Sequence, residues 1–256
     1  PEMIEAIERL RSAIDRRRPH PGRLRFVIML MIWLAVAAGA LFWLPGAVRQ
    51  YAVSIVPDVK RAEIGAELFD QLQRVTGPPC DNADGLRSLD RLAARLPGAN
   101  QLYVLRDGVD KTAHLPGGAI LIERNLVEDH SEPDVMAGFI LAEQLRMEQR
   151  DPLAQLLDAA PIWSSFRLLT TGALGDGTLG NYAETLLTTD KLPLPDTALL
   201  DRFEAASLRA TPYAYAVDIT GESTLGLIEA DPFATAAPEA VMNDADWLRL
   251  QAICGA

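Results

Sequence analysis

The side chains best suited to chemistry in this chain are few, and their spacing says more than their number. There are three histidines, His20, His114 and His130. No two of them fall at i and i+4, the spacing that sets paired imidazoles on one helical face around a metal, so His114 and His130 read as ordinary polar residues. Glu143 stands in the run FILAEQLRMEQRDP with Arg146 three residues on, a separation at which a helix brings carboxylate and guanidinium together as an ion pair. Ser131, Ser164, Ser165 and Ser207 lack the G-x-S-x-G setting of an activated nucleophile. Gly172, Gly175, Gly177 and Gly180 follow no convincing strand and read as loop rather than phosphate cradle. Cys80 and Cys254 lie too far apart in sequence to be a thiolate metal pair.

The elements that must position these groups follow from pattern. A strand is expected at Leu102–Leu105, turned by Asp107 and Gly108, and a second at Ala119–Glu123, entered through Pro116, Gly117 and Gly118 with His114 on its approach. Ser131 heads a long amphipathic helix, with Asp134 completing a capping box and Pro133 in the first turn. Along it Val135, Phe139, Ala142 and Arg146 share one face, with Ile140, Glu143 and Met147 alongside, and Arg150 and Asp151 end it before Pro152. Two helices precede the strands. Pro57–Val75 aligns Ile64, Leu68 and Leu72, and Asp84–Leu96 stacks Leu86, Leu89, Leu92 and Leu96. Further helices are expected at Pro152–Leu157, Asn181–Leu187, Pro195–Leu208 with Asp196 as cap, and Asn243–Cys254. Residues 211–241, rich in Thr, Ala and Pro, read as irregular structure over the core. There is no internal repeat.

LPGG at 115–118 followed by a helix closing on E-x-x-x-x-x-x-R-D-P resembles the membrane-anchored zinc metallopeptidases of the HtpX type, over about residues 45–254. In that family the helix carries H-E-x-x-H, with the glutamate as general base for a zinc-bound water. Counting back from Arg150, Asp151 and Pro152 puts Ala142, Glu143 and Arg146 at the motif positions. Both histidines are missing. The resemblance therefore implies a mainly α (α+β) fold, packed helices with a small sheet beside the site helix, that has lost its metal site: a pseudo-enzyme with no catalytic residue, no metal and no cofactor. Arg146 is expected in the vacated metal position. The family's third ligand, a later glutamate, has its nearest counterpart in Glu184, and an active peptidase with an unorthodox site of Glu143, Glu184 and His114 is the alternative. The resemblance also implies that Gly117, Gly118, Ala119 and Ile120 form an exposed edge strand bordering the old cleft. Such an edge pairs with extended peptide through backbone alone and would survive loss of the metal.

Phe26–Leu44 contains 19 residues without a charge, which at about 1.5 Å per residue matches a hydrocarbon core of about 30 Å. It reads as a transmembrane helix rather than a cleaved signal, because the apolar run is long and no small-residue cleavage pattern follows. Residues 1–25 are expected to form a cytoplasmic amphipathic helix, 2–16, and a basic linker, and residues 45–256 the main domain. Seven arginines against four acids in residues 1–25 leave −14 of the net −11 to the remainder. By the positive-inside rule the N-terminus is cytoplasmic and the main domain lies across a bacterial inner membrane, in the periplasm. The chain opens on Pro1 rather than Met, which predicts sequence upstream. So acidic a body excludes nucleic acid as a partner and leaves the lipid bilayer and another membrane protein or complex. The expected function is that of a binding or structural module, an accessory subunit or an assembly factor. Cys80 and Cys254 are the only cysteines, sit on the expected oxidising side and bracket the body, which predicts a disulfide between them; two buried, reduced thiols are the alternative.

Overall fold

A computed structural model describes residues 21–99, 101–236 and 238–255. The expected amphipathic helix at 2–16 and the basic cluster Arg16–Arg18 lie outside the described residues. The chain divides into two units, residues 1–48 and 49–256.

The first unit is described through helix α1, Pro21–Ile55, whose last turns belong to the second. Residues Leu24–Ile55 are long and apolar enough to cross a membrane, with a mean hydropathy of 2.5 over their most apolar window. The helix overruns the expected end at Leu44 and passes through Pro45. A proline there forfeits one backbone bond, a loss smaller than that of ending a helix whose later turns are held by packing.

The second unit is mainly helical around one small sheet. After α1 come α2 (Asp58–Thr76) and α3 (Ala83–Arg95), the latter capped by Asn82, which accepts from the amides of Asp84 and Gly85. Strands β1 (Gln101–Leu105), β2 (Thr112–His114) and β3 (Ala119–Glu123) follow, then the one-turn α4 (Asn125–Glu128) and the site helix α5 (Pro133–Gln149). The remainder is α6 (Pro152–Ala159), α7 (Ile162–Thr171), α8 (Asp176–Thr188), α9 (Asp196–Ala205), α10 (Thr211–Val217), α11 (Leu225–Glu229) and α12 (Asp244–Gln251). Two short helices, α10 and α11, thus occupy the stretch expected to be irregular.

The sheet order is β1-β3-β2, with β3 parallel to β1 and antiparallel to β2. This corrects the expected edge strand: Ala119 and Ile120 lie in the central strand, buried and paired on both sides, and β2 is the edge. Alternation sends Leu102, Val104, Ile120 and Ile122 into one core with Phe139 and Ile140 of α5. Tyr103, Leu105, Ala113 and Leu121 face a second core with Leu68 and Leu72 of α2 and Leu156 of α6. Covered on both faces, β3 has no polar side, which is why it reads as a continuous apolar run.

The β2–β3 turn owes its glycines to space as well as torsion. Gly117 and Gly118 have φ of 87° and 90°. A Cβ on Gly117 would lie 2.5 Å from Ala62 Cα, and one on Gly65 would lie 2.0 Å from Pro116 O, so the turn is seated directly on α2.

Helix α5 is buried from Asp134 through Leu145 and has no solvent face, so the expected amphipathic helix is a central one. The expected capping box does not form. Glu132 is the N-cap without a side-chain bond, and Asp134 is turned to Arg209, whose Nε donates to it at 2.9 Å. Burial pushes the Asp134 carboxyl up, against the pull of Arg209. At the other end Asp151 caps α6, accepting from the amides of Leu153 and Ala154, and pairs with Arg61 at 2.5 Å. Arg61 also donates to the carbonyls of Val53 and Val56, closing the end of α1. Asp196 does not cap α9, whose N-cap is Pro195. Cys80 and Cys254 form the expected disulfide, joining the segment before α3 to the one after α12 across 174 residues.

Candidate functional site

The site is built where β2, α5 and the loop after α8 meet. Thr112 and His114 are alternate residues of β2, so both side chains leave the sheet on the face toward α5. Glu143 comes up from the middle of α5, 2% exposed, and meets both. His114 Nδ1 donates to Oε1 at 2.7 Å, while Thr112 Oγ1 and the Arg146 guanidinium each donate to Oε2 at 2.8 Å. Lys191 donates to Thr112 Oγ1 at 3.0 Å and lies 4.0 Å from Oε2. Gln155 uses both amide hydrogens, one on the carbonyl of Arg150 and one on His114 Nε2 at 3.1 Å. Both ring nitrogens of His114 are thus engaged, Nδ1 by Glu143 and Nε2 by Gln155.

Burial by itself would push the Glu143 carboxyl up. The hydrogen bond from His114 and the charges of Lys191 and Arg146 outweigh it and hold the group at about 2. Glu143 is therefore an ionised acceptor with both oxygens engaged. It is poorly matched to general-base work, which calls for a pKa near the working pH. Burial pushes the Lys191 ammonium down, partly offset by Glu143.

A cavity of about 360 Å³ opens above this network, within the range of small-ligand sites. Its floor is Thr112, His114, Glu143 and Arg146, and its walls include Gln155, Tyr182, Leu186 and Leu192. Burial pushes the Tyr182 phenol up to about 12, so it faces the cavity protonated. Arg146 Nε also donates to the carbonyl of Leu192 at 3.3 Å, tying the floor to the loop. The antiparallel ladder bonds Leu115 to Ala119 and Glu123 to Lys111, and by parity it turns the Thr112 carbonyl and the backbone groups of His114 outward from the sheet, while the Thr112 N–H donates to the carbonyl of Asp110.

No protein-family model matches the chain, and no curated protein matches it. What the site can hold is then a question for its own donor atoms. Of the motif positions, Ala142 is buried and offers none, and Arg146 is a cation with no lone pair. Glu184 is exposed on α8 and absent from the cavity lining, although Tyr182 and Thr185 of the same helix line it. His114 and Glu143 are brought together, but they spend their facing atoms on each other. Among the described residues no three of His, Cys, Asp or Glu are grouped to hold a metal ion. This donor set does not fit a zinc centre. His130 does not line the cavity; its backbone carbonyl accepts from Gln251, and burial pushes its imidazole down. Gly117 and Gly118 form the turn on α2 and do not line the cavity.

Sequence reasoning missed Thr112, Gln155, Tyr182 and Lys191. Lys191 lies 79 residues from Thr112 and 48 from Glu143, in a loop whose sequence DKLPLP has no periodicity to mark it.

Proposed function

We propose that the chain is a membrane-anchored, non-catalytic protein whose body, a metallopeptidase-like scaffold without its metal, serves as a binding or structural module for another membrane protein or complex. The observation that carries this is the state of Glu143. The residue at the position of the family's general base is bonded to Thr112, His114 and Arg146 and kept ionised at about 2, so both its oxygens are engaged within the protein and its affinity for a proton is low. What is left for binding is the cavity and the outward edge of β2, to which an extended segment can add through backbone hydrogen bonds.

The charge asymmetry around Phe26–Leu44 favours a cytoplasmic N-terminus and a periplasmic body, as does a disulfide, which persists in oxidising compartments. A reporter fused after the body should be active on the periplasmic side. The catalytic question is decided by metal analysis and peptide cleavage with the purified full chain. No bound zinc and no hydrolysis are expected, together with a membrane protein that co-purifies in mild detergent. Near-stoichiometric zinc with chelator-sensitive cleavage, abolished by Glu143→Gln, would overturn the proposal.

A further inference from the structure

Helix α7 is unusually patterned for a surface helix in water. Its inward face buries Ser164 and Ser165 beside Leu168, with Leu169 half-buried against the same core. Ser165 is 0% exposed and its hydroxyl has no partner, while Ser164 shares a bond with Thr178. The outward face carries Trp163, 75% exposed, and Phe166, 38% exposed, with ring centres 5.8 Å apart. Arg167 and Thr170 continue that face at helical spacing, and both are exposed. A helix that turns hydroxyls inward and an aromatic pair with an arginine outward is patterned for an amphipathic boundary, where indole and phenyl rings settle among headgroups and a guanidinium meets phosphate.

Its place in the body says which boundary. Arg49 is the first charged residue after the apolar run that ends at Leu44. Five helical residues advance about 7.5 Å, roughly the depth of one headgroup layer. Arg49 Nη2 donates to the carbonyl of Ala160 at 3.4 Å, and its Nη1 lies 3.9 Å from Asp158. Ala160 closes α6 and stands two residues before α7 begins. The first turn of α7 is thus tethered to the first charged residue after the apolar run. At its far end Gly172 lies against the stem of Lys60, which is paired with Glu63.

We infer that α7 is a second membrane contact of the body, an interfacial helix that seats Trp163 and Phe166 in the headgroup and upper acyl layer of the bilayer and pairs Arg167 with lipid phosphate. This rests on the membrane-anchored part of the proposed function and on none of its statements about catalysis. Two contacts on one bilayer fix the orientation of the body in a way that a single helical stalk does not.

The test uses the full chain reconstituted in vesicles of mixed zwitterionic and anionic lipid. The only two cysteines are in the disulfide, so one introduced cysteine takes a nitroxide label selectively. Thr170→Cys places the label on the outward face and keeps both aromatic rings; Leu248→Cys, exposed on α12, is the aqueous control. The Thr170 label should collide preferentially with membrane-soluble oxygen, and the Leu248 label with a water-soluble nickel chelate. Adding Trp163→Ser and Phe166→Ser should shift the Thr170 label to the aqueous pattern, with circular dichroism unchanged. A chain that floats with the vesicles while the Thr170 label reads as aqueous overturns the inference alone. A label shielded from both reagents shows a protein partner or second copy on this face and likewise overturns it. A chain that does not float with vesicles overturns the inference and the anchored reading together.

Discussion

Replacing Glu143 by glutamine keeps the shape of the side chain and removes its charge. In the folded protein the carboxyl is held at about 2, against an ordinary value of 4.5. A depression of that size corresponds to about 3 kcal/mol in favour of the ionised form. The sign follows from its direction. A carboxyl whose folded pKa is lowered contributes stability that is complete above about 4.5 and is lost as the pH falls toward 2. At pH 7 Glu143→Gln also leaves the half-buried Arg146 and Lys191 without their shared counter-charge. The variant should be less stable by about 3 kcal/mol, a fall in melting temperature of about 6–12 °C for a body of this size. Thermal unfolding followed by circular dichroism in mild detergent, with the disulfide intact, measures both chains from pH 7 to pH 3. The gap should be constant above pH 5 and narrow below it. Strained catalytic carboxylates often behave in the opposite way, because activity is maintained there at the expense of stability. A Glu143→Gln chain as stable as the wild type or more so at pH 7, or a gap indifferent to pH, would refute the assignment of this residue to structure.

Arg146→Met, which strands a buried carboxylate with Lys191 as its remaining cation, should cost about 3 kcal/mol, and adding Glu143→Met should recover only part of that loss in the same melts, since it removes the stranded carboxylate but leaves Lys191, His114 and Thr112 without their acceptor. Cys80→Ala with Cys254→Ala should lower stability by about 5 kcal/mol in the chain-entropy account of a loop of 174 residues; two thiols alkylated in the native protein would show the bond is not there. Gly117→Ala should destabilise by about 2 kcal/mol or more in urea titration, because the new methyl group meets Ala62 and the backbone holds a φ of 87°.

Local signals were legible in the sequence and long-range partnerships were not. The apolar run before Arg49, the glycine pair after Leu115 and the disulfide each depend on residue type and near neighbours, or on there being only two cysteines. The Glu143–Arg146 pair was legible for the same reason, three residues on one helix. β2 has only three residues, Thr-Ala-His, too few to show alternation, and with β2 unseen β3 looked like an edge. The supposed capping box failed because Arg209, 75 residues on, outbid the helix end for Asp134. The amphipathic appearance of α5 failed for a related reason. Gln144 and Glu143 look like a polar face, but one is bonded to the carbonyl of Pro97 and the other to β2, so both are interior.

The bond between Cys80 and Cys254 also marks time. Synthesis delivers Cys80 before the sheet and Cys254 after α12, so the sheet, the site helix and every helix between them take shape on an open chain. Until α12 has been made, Cys80 has no cysteine in the sequence with which to pair. With Cys254 not yet in place Cys80 stands as a free thiol beside α3, and with it in place both sulfurs are in the bond. One reactive sulfur is enough to tell a body still lacking α12 from one that has closed on it.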